Sequence, residues 1–209
     1  MRLLPKLVQF AAITVKKHNI DESHGLGHAL TVLYNSHNIL ENLLPTHHIL
    51  ESQRNIIYTS ALVHDLCDDK YMDLSEGVQY IHEMLEDTHL LQPYEINVVE
   101  KIISTMSYSK VKIQGYPDLG IYNMAYHIVR EADLLAAYDF DRSIIYNLNN
   151  INPDLNETFQ NSLNLFENRV FKHNEDHLFI TEYSKEKSLE LEKKARLQIQ
   201  TWYALTDHF

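Results

Sequence analysis

The chain has 209 residues, of which 44% are apolar, and its formal net charge is −11 with histidine neutral. This length and apolar content suit one domain with a sizeable core. The acidic balance argues against nucleic acid as a partner of the surface as a whole, although a bound cation and a few lysines can still attract a small anion. Five glycines and five prolines are too few for a turn-dense β fold.

The single cysteine, Cys67, rules out an intrachain disulfide framework and suits a reducing compartment. We interpret it as small apolar filler rather than as a nucleophile. The first ten residues are mostly apolar, but Pro5 and Lys6 interrupt the apolar run. We therefore expect neither a signal peptide nor a membrane span there. These features predict a cytoplasmic protein with no membrane partner.

Hydrophobic periodicity predicts an all-α fold. The predicted helices, in chain order, are Leu3–His18, Leu26–Glu41, Thr46–Leu66, Glu76–Thr88, Gln92–Met106, Ile121–Leu148, Leu155–Phe171 and Glu182–Ala204. Asp73 is typical of a helix N-terminus and Pro93 of a first helical turn. Gly25 and Gly27 suit a close approach of the chain before the second helix. The stretch Ser107–Gly120 is predicted to be irregular.

The chain is organised around the segment S-A-L-V-H-D-L-C-D-D-K-Y, which begins at Ser60. At 100° per residue, one helix face collects two apolar and three polar side chains: Ile57, Ala61, His64, Asp65 and Asp68. The apolar members turn this face toward the core, where an unpaired carboxylate is costly. A neutral imidazole beside a carboxylate is also half of a site for a divalent metal ion. Alone, the doublet His64-Asp65 favours a structural role.

Two further residues favour a metal site over a structural role for this doublet. His28 lies early on the inner side of its helix, and Asp133 lies on an otherwise apolar stripe within R-E-A-D-L-L-A-A-Y-D. Each alone suggests a hydrogen-bonded core histidine or an aspartate paired with Arg130. Together with His64 and Asp65 they supply two imidazoles and two carboxylates on three helices, which is how helical bundles hold a divalent ion.

The order H…HD…D resembles the HD-domain metal-dependent phosphohydrolases. The resemblance rests on D-E-S-H-G-L-G-H-A-L-T-V, A-L-V-H-D-L-C-D-D-K-Y, I-I-S-T-M-S-Y-S and E-A-D-L-L-A-A-Y-D, and it covers roughly Asp21 to Tyr146. The second motif is similar to the compact branch that reads H-D-x-x-D-x-K and then an aromatic residue. The family's frequent arginine two residues before the valine is absent, since Leu30 stands there. The resemblance implies a single HD-domain helical bundle over residues 1–150, with C-terminal helices over 151–209 that pack on or extend the same domain.

The resemblance also implies the residues of the site. The metal ligands would be His28, His64, Asp65 and Asp133. The expected ion is Mn²⁺, with Mg²⁺, Fe²⁺, Co²⁺ or Ni²⁺ as alternatives. Asp68, one turn beyond His64, would orient or deprotonate the attacking water, so Asp68 and the ligand Asp65 are the catalytic candidates.

Four residues are predicted to contact substrate. Lys70 would bind a phosphate, unless it is an exposed loop lysine, and His24 would line the entrance or cap a helix. Arg130 is a weaker phosphate candidate that could instead neutralise a carboxylate. Asp69 gives the motif a partial likeness to the H-D-x-x-E-D of alarmone hydrolases, with Asp in place of Glu.

Two further sets of residues are left open. Some family members hold a second ion through additional histidines, and the histidines available here match no flanking motif: His82, His89 and His127. Tyr116 and Tyr138 could stack on a nucleobase.

The expected function is metal-dependent hydrolysis of a nucleotide-like small molecule, with a nucleoside triphosphate giving a monophosphate and pyrophosphate. The alternatives are a nucleotide monophosphatase and an alarmone hydrolase. A different class, a non-catalytic HD module that senses a nucleotide or binds a partner, stays open, as does an oxygenase with a di-iron site. The expected partner is a small phosphorylated substrate, with no nucleic acid and no membrane, and a homodimer is left open.

Overall fold

A computed structural model describes residues 3–151 and 153–206, and over these residues the chain is all-α, as predicted, with no β-strand. The α-helices are α1 (Leu3–Lys17), α2 (Leu26–Leu43), α3 (Leu50–Val63), α4 (Leu74–Thr88), α5 (Pro93–Thr105), α6 (Tyr108–Gln114), α7 (Asn123–Ala136), α8 (Phe140–Asn150), α9 (Leu155–Asn168) and α10 (Glu182–Thr206). Short 3₁₀ turns lie at Gly120–Tyr122 and Val170–Lys172. Residues 1, 2, 152 and 207–209 of the predicted domain ranges lie outside the described residues.

The local signals for helix starts are confirmed. The Asp73 side chain accepts hydrogen bonds from the backbone N–H groups of Ser75 and Glu76 at the start of α4. Pro93 is the first residue of α5, where its missing N–H costs nothing. The predicted irregular stretch after α5 is partly wrong, because it contains α6. That helix ends at Gly115, whose φ of 73° is the left-handed conformation that glycine adopts readily.

The predicted long helix Ile121–Leu148 is also wrong, because the structure divides it into α7 and α8. The break falls at residues 137–139, and the Asp139 side chain caps α8 by accepting a hydrogen bond from the N–H of Arg142. Periodicity missed the break because apolar residues continue across it: Leu135 and Phe140, on either side, are both buried. An N-capping aspartate was the available signal.

The described chain divides into two compact units. The first extends to Ile20 and then covers His24–Asp133, and the second comprises Asp21–Ser23 and the chain from Leu134 onward. In the first unit, α3 packs against α1, α2 and α5. Its core consists of aliphatic side chains that are fully buried, including Leu7, Ile39, Leu40, Leu50, Ile57 and Leu62. This core fixes α2 and α3 side by side.

The second unit is built from α8, α9 and α10, which pack on one another. Phe140 contacts Phe159 and Phe166 edge to face, with ring centroids 5.8 and 5.0 Å apart. Asn147 of α8 donates a hydrogen bond to the Ser162 hydroxyl of α9 at 3.1 Å. An aromatic core with a buried polar bond therefore holds this unit.

None of the helices in residues 3–151 and 153–206 is both long and apolar enough to cross a membrane.

The close approach predicted at Gly27 is wrong, since a Cβ added there would meet nothing within 4 Å. The close approach occurs at Gly77 of α4 instead. A Cβ at Gly77 would lie 2.7 Å from Cβ and 2.9 Å from Cα of Cys67. The latter contact is with backbone, so it cannot be relieved by rotating a side chain. Gly77 thus lets α4 pack against the segment that follows His64.

We expect Gly77→Ala to destabilise the protein by about 1–3 kcal/mol, because the added methyl group overpacks this contact. Gly27→Ala is the matched control. It lies in α2 with open space around it, and alanine is favoured over glycine in a helix by up to about 1 kcal/mol. Urea unfolding midpoints should fall for the first variant and rise for the second. Equal increases for both would show that the contact with Cys67 is not restrictive.

Candidate metal centre

His64 and Asp65 lie at the C-terminal end of α3 rather than inside a helix that extends to Leu66. The helix ends at Val63, His64 is its C-cap residue with helical dihedral angles, and Asp65 begins the turns that follow. The C-terminal end of a helix carries a partial negative charge and favours cations. The chain therefore presents the doublet where a positive ion is stabilised by the backbone as well as by Asp65.

His28 and Asp133 come from two other helices. His28 is the third residue of α2 and is buried, and Asp133 lies in the last turn of α7. The buried side chain of Asn35, two turns beyond His28 on α2, donates a hydrogen bond to the backbone carbonyl of Ala132 at 3.1 Å. This bond ties α2 to the residue before Asp133, so it fixes the spacing between the two polar side chains.

The structure brings the four residues predicted as ligands together, and we call them the His/Asp cluster (His28, His64, Asp65 and Asp133). Nε2 of His28 lies 3.2 Å from Nε2 of His64, 3.1 Å from Oδ2 of Asp65 and 3.2 Å from Oδ1 of Asp133. Nε2 of His64 lies 3.3 Å from Oδ1 of Asp65 and 3.7 Å from Oδ1 of Asp133. Four potential ligand atoms thus converge from three separate segments.

The separations among His28, His64 and Asp65 fit a six-coordinate divalent ion. Ligand atoms about 2.1 Å from a metal and at right angles to one another lie about 3.0 Å apart, along the edge of an octahedron. The imidazoles of His28 and His64 and the carboxylate of Asp65 form the tightest group, with ligand atoms within 4.8 Å of one another. Asp133 contacts both imidazoles from α7.

Hydrogen bonding in the cluster also suits a metal ion. Nδ1 of His64 lies 2.9 Å from the carbonyl oxygen of Ala61, and an N–H there directs the lone pair of Nε2 into the cluster. Oδ2 of Asp65 is buried and lies 3.1 Å from Nε2 of His28. A buried carboxylate oxygen is costly unless a donor or a cation lies beside it, and a metal ion bound by His28 would supply that cation.

The cluster has a buried side and an open side. The side chains of His28 and His64 are 1% and 3% exposed, whereas those of Asp65 and Asp133 are 16% and 28% exposed. Water or a substrate oxygen can therefore reach the cluster from the carboxylate side, as a catalytic rather than a closed structural metal site requires.

Burial and charge act together on the ionisation of these groups. Burial alone would disfavour the imidazolium of His64, but the carboxylates of Asp65 and Asp133 outweigh it and raise the pKa of His64 to about 9. Burial likewise opposes ionisation of both carboxyls, yet the nearby imidazoles lower the pKa of Asp65 and the pKa of Asp133. The cluster thus stabilises positive charge between its carboxylates, which a proton or a metal ion can supply.

Asp68 and Cys67 follow the doublet and differ in what they can do. Oδ1 of Asp68 accepts a hydrogen bond from the backbone N–H of Lys70 at 2.9 Å, and its side chain is 22% exposed. Burial, with the charge of Asp65, raises the pKa of Asp68 above its usual value despite the opposing effect of Lys70. Burial also raises the pKa of the Cys67 thiol to about 12. Cys67 therefore stays protonated and is a poor nucleophile.

A second group lies beside the His/Asp cluster, and we call it the His24 cluster (His24, Lys70 and Tyr71). Nζ of Lys70 lies 3.2 Å from Nε2 of His24, and the Tyr71 hydroxyl lies 3.1 Å from Nδ1 of His24. An ammonium group only donates, so Nε2 accepts and Nδ1 carries the proton that it donates to the Tyr71 oxygen. The rings of His24 and His28 are 6.4 Å apart between centroids.

Tyr71 is the residue of this cluster to which the sequence pattern assigned no role. The only signal was its position as the aromatic residue after H-D-x-x-D-x-K. His24 and Lys70, which were predicted separately to contact substrate, lie in contact with each other, whereas Asp69 is an exposed residue of the same turn.

The remaining candidates lie elsewhere. Arg130 is almost fully buried, with Nη2 3.4 Å from Oε1 of Glu131 and 3.4 Å from Nδ1 of His127. His82 directs one ring nitrogen to Glu100 and the other to Glu86, so its partners do not converge on one point. His89 lies at the end of α4 with φ of 54°, and Tyr138 is buried in the second unit.

Comparisons with known proteins place the fold but not the activity. No family model matches the chain, and no curated protein matches it. The chain is similar to the crystal structure of a protein from Lactobacillus plantarum, a structural-genomics target, with 17% sequence identity and a TM-score of 0.69. The match covers 99% of this chain and 97% of the other. At this identity the likeness shows a shared fold alone.

We expect wild-type protein to bind one Mn²⁺ and the variant His64→Ala to lose it, because the variant removes a ligand and leaves Asp65 unsatisfied. His82→Ala is the matched control, since it removes a partly buried histidine that contacts two carboxylates. Metal content after dialysis and calorimetric titration with MnCl₂ measure both. Retention of full Mn²⁺ affinity by His64→Ala would contradict the assignment, and loss by His82→Ala would point to a second ion.

Proposed function

We propose that the protein is a metal-dependent phosphohydrolase of the HD type that acts on a small nucleotide. The observation that supports this most directly is the convergence of two imidazoles and two carboxylates at 3.1–3.7 Å on a partly open site. The ordered motifs around these residues support it independently. His28, His64, Asp65 and Asp133 would hold the ion, for which Mn²⁺ is the first choice.

A divalent ion in such a site lowers the pKa of water and polarises a phosphoryl oxygen. Side chains of the protein would hold the ion and admit the phosphate. The two imidazoles and two carboxylates would hold the ion. The exposed edges of Asp65 and Asp133 leave room for a phosphate to approach.

Asp68 is the candidate general base. It lies four residues past His64 in the turns that follow α3, and the N–H of Lys70 donates a hydrogen bond to its Oδ1. Burial raises its pKa toward the range in which a carboxylate accepts a proton efficiently near neutral pH. Water would lose its proton to Asp68 as its oxygen forms a bond with phosphorus. The bond from phosphorus to the bridging oxygen then breaks, and the leaving group departs with the electron pair.

The His24 cluster is the candidate phosphate site. The side chain of Lys70 is 45% exposed and lies 3.9 Å from the carboxylate of Asp68, so its ammonium group borders the base. It also contacts the imidazole of His24, and a phosphate oxygen is a stronger acceptor than that ring. Tyr71 orients His24 from the other side. In a chain with net charge −11, this local positive charge is what an anionic substrate requires.

We therefore expect Mn²⁺-loaded protein to hydrolyse nucleoside triphosphates to monophosphates and pyrophosphate. The test is a screen of nucleoside tri-, di- and monophosphates, a cyclic dinucleotide and the tetra- and pentaphosphate alarmones, with phosphate and pyrophosphate separated. Phosphate release from monophosphates alone would identify a nucleotidase, and pyrophosphate release from the alarmones alone an alarmone hydrolase. No turnover of any compound by metal-loaded protein would overturn the hydrolase and favour a nucleotide-sensing or partner-binding module.

We expect Asp68→Asn to retain its Mn²⁺ and to lower kcat by about 10²-fold or more, because the amide cannot accept the proton of water. Asp87→Asn, an exposed position of α4, is the matched control and should leave kcat unchanged. Steady-state kinetics and metal content are measured on the same preparations. Loss of metal from Asp68→Asn would make Asp68 a ligand, and an unchanged kcat would remove it as the base.

A further inference from the structure

An aromatic and cationic group is formed by two residues of α7, the helix that carries Asp133, and by one residue of the loop before it, and it has no part in the mechanism proposed above. We call it the Tyr116 platform (Tyr116, His127 and Arg130). We infer that Tyr116 stacks on the base of a nucleotide whose phosphate lies at the His/Asp cluster. This inference rests on the proposed function and specifies which part of the substrate the protein recognises.

The platform is a packed arrangement rather than a single exposed ring. The guanidinium carbon of Arg130 lies 4.9 Å from the ring centroid of Tyr116, within the range of a cation–π contact. The ring of His127 stands nearly perpendicular to that of Tyr116, at 83° with centroids 4.9 Å apart. Burial, with the charge of Arg130, lowers the pKa of His127 to about 4. At neutral pH the Tyr116 ring is therefore supported by one cation and one neutral ring.

The loop that carries Tyr116 is held by polar contacts. Oδ1 of Asp118 accepts hydrogen bonds from the N–H of Gly120 at 3.0 Å and from the amide of Asn123 at 3.3 Å. The buried side chain of Gln53 on α3 donates to the carbonyl of Ile121 at 3.0 Å. A ring presented from a loop fixed in this way loses little conformational entropy when a ligand binds.

Tyr116 and Arg130, whose guanidinium group lies against the tyrosine ring, differ in their exposure to solvent. Tyr116 is 43% exposed, whereas Arg130 is 2% exposed. The buried guanidinium thus acts as support, and the exposed aromatic surface is left to contact a ligand. Stacking on an exposed aromatic ring suits any planar base, since every base has a π-face. Tyr138, the other tyrosine considered for this role, is 3% exposed and belongs to the second unit.

The spacing along α7 relates the platform to the His/Asp cluster. At 1.5 Å per residue, Arg130 and His127 precede Asp133 by about 4.5 and about 9 Å along the helix axis. The ribose and α-phosphate of a nucleotide span a distance of this size. If the γ-phosphorus lay at Asp133 instead, two more phosphates would have to fit between the base and that residue. The platform therefore favours attack at the α-phosphorus, which breaks its bond to the bridging oxygen and releases pyrophosphate with the electron pair.

The experiment compares a ligand that has a base with one that lacks it. Mn²⁺-loaded protein is titrated calorimetrically with a non-hydrolysable α,β-methylene nucleoside triphosphate and with inorganic tripolyphosphate. Tyr116→Ala should weaken binding of the nucleotide by about tenfold or more and leave tripolyphosphate binding unchanged. Tyr116→Phe keeps the ring and should retain wild-type affinity. Tyr34→Ala, which removes a tyrosine that is 66% exposed on α2, is the matched control.

The outcomes separate this inference from the proposed function. If Tyr116→Ala binds the nucleotide as tightly as wild type does, the platform is overturned while the hydrolase can still stand on its own screen. A loss of nucleotide and tripolyphosphate binding together would mean that the variant disturbs the phosphate site, which also overturns a base-specific role. A selective loss for the nucleotide supports the platform even if the screen finds no turnover.

Discussion

The structure depends on how two neighbouring carboxylates are tolerated beside a buried pair of imidazoles. Asp65 and Asp133 approach the same two rings within 3.1–3.7 Å, and their pKa values are lowered although burial opposes their ionisation. Two negative charges held this closely in a poorly solvated place destabilise the fold unless positive charge lies between them. A proton on His64 supplies one unit, since its pKa is raised to about 9. A divalent cation bound by the cluster would supply two.

The positions at which the helices end favour positive charge between Asp65 and Asp133. His64 and Asp65 lie at the C-terminal end of α3 and Asp133 lies in the last turn of α7, so both helix dipoles favour a cation there. The bond from Asn35 to the carbonyl of Ala132 fixes α2 against α7 close to this point. A turn rather than a continuing helix after Val63 also lets Asp68, Lys70 and Tyr71 fold back beside the site.

The sequence predicted the all-α class and the side chains that would meet, because motif order and hydrophobic periodicity depend on local spacing. It did not predict that α3 ends before His64, since the apolar face continues through Leu66, nor that Asp139 divides α7 from α8. The contact between Tyr71 and His24 joins residues 47 positions apart, and the support of Tyr116 by Arg130 depends on a loop. Such contacts follow from tertiary packing, which no periodicity encodes.

The same packing bears on the proposal that this acidic protein binds an anionic ligand. Positive charge is scarce in this chain, 18 lysines and arginines against 29 acidic residues, so its location matters more than its amount. Lys70 keeps its ammonium group half exposed beside Asp68, whereas Arg130 is buried under Tyr116 and paired with Glu131. The two cations therefore differ in their surroundings: Lys70 borders the carboxylate of Asp68, and Arg130 supports the ring of Tyr116. Discrimination between nucleotides would then reside in the shape and stacking of the base, while the phosphate is held by a local field that the net charge opposes at longer range.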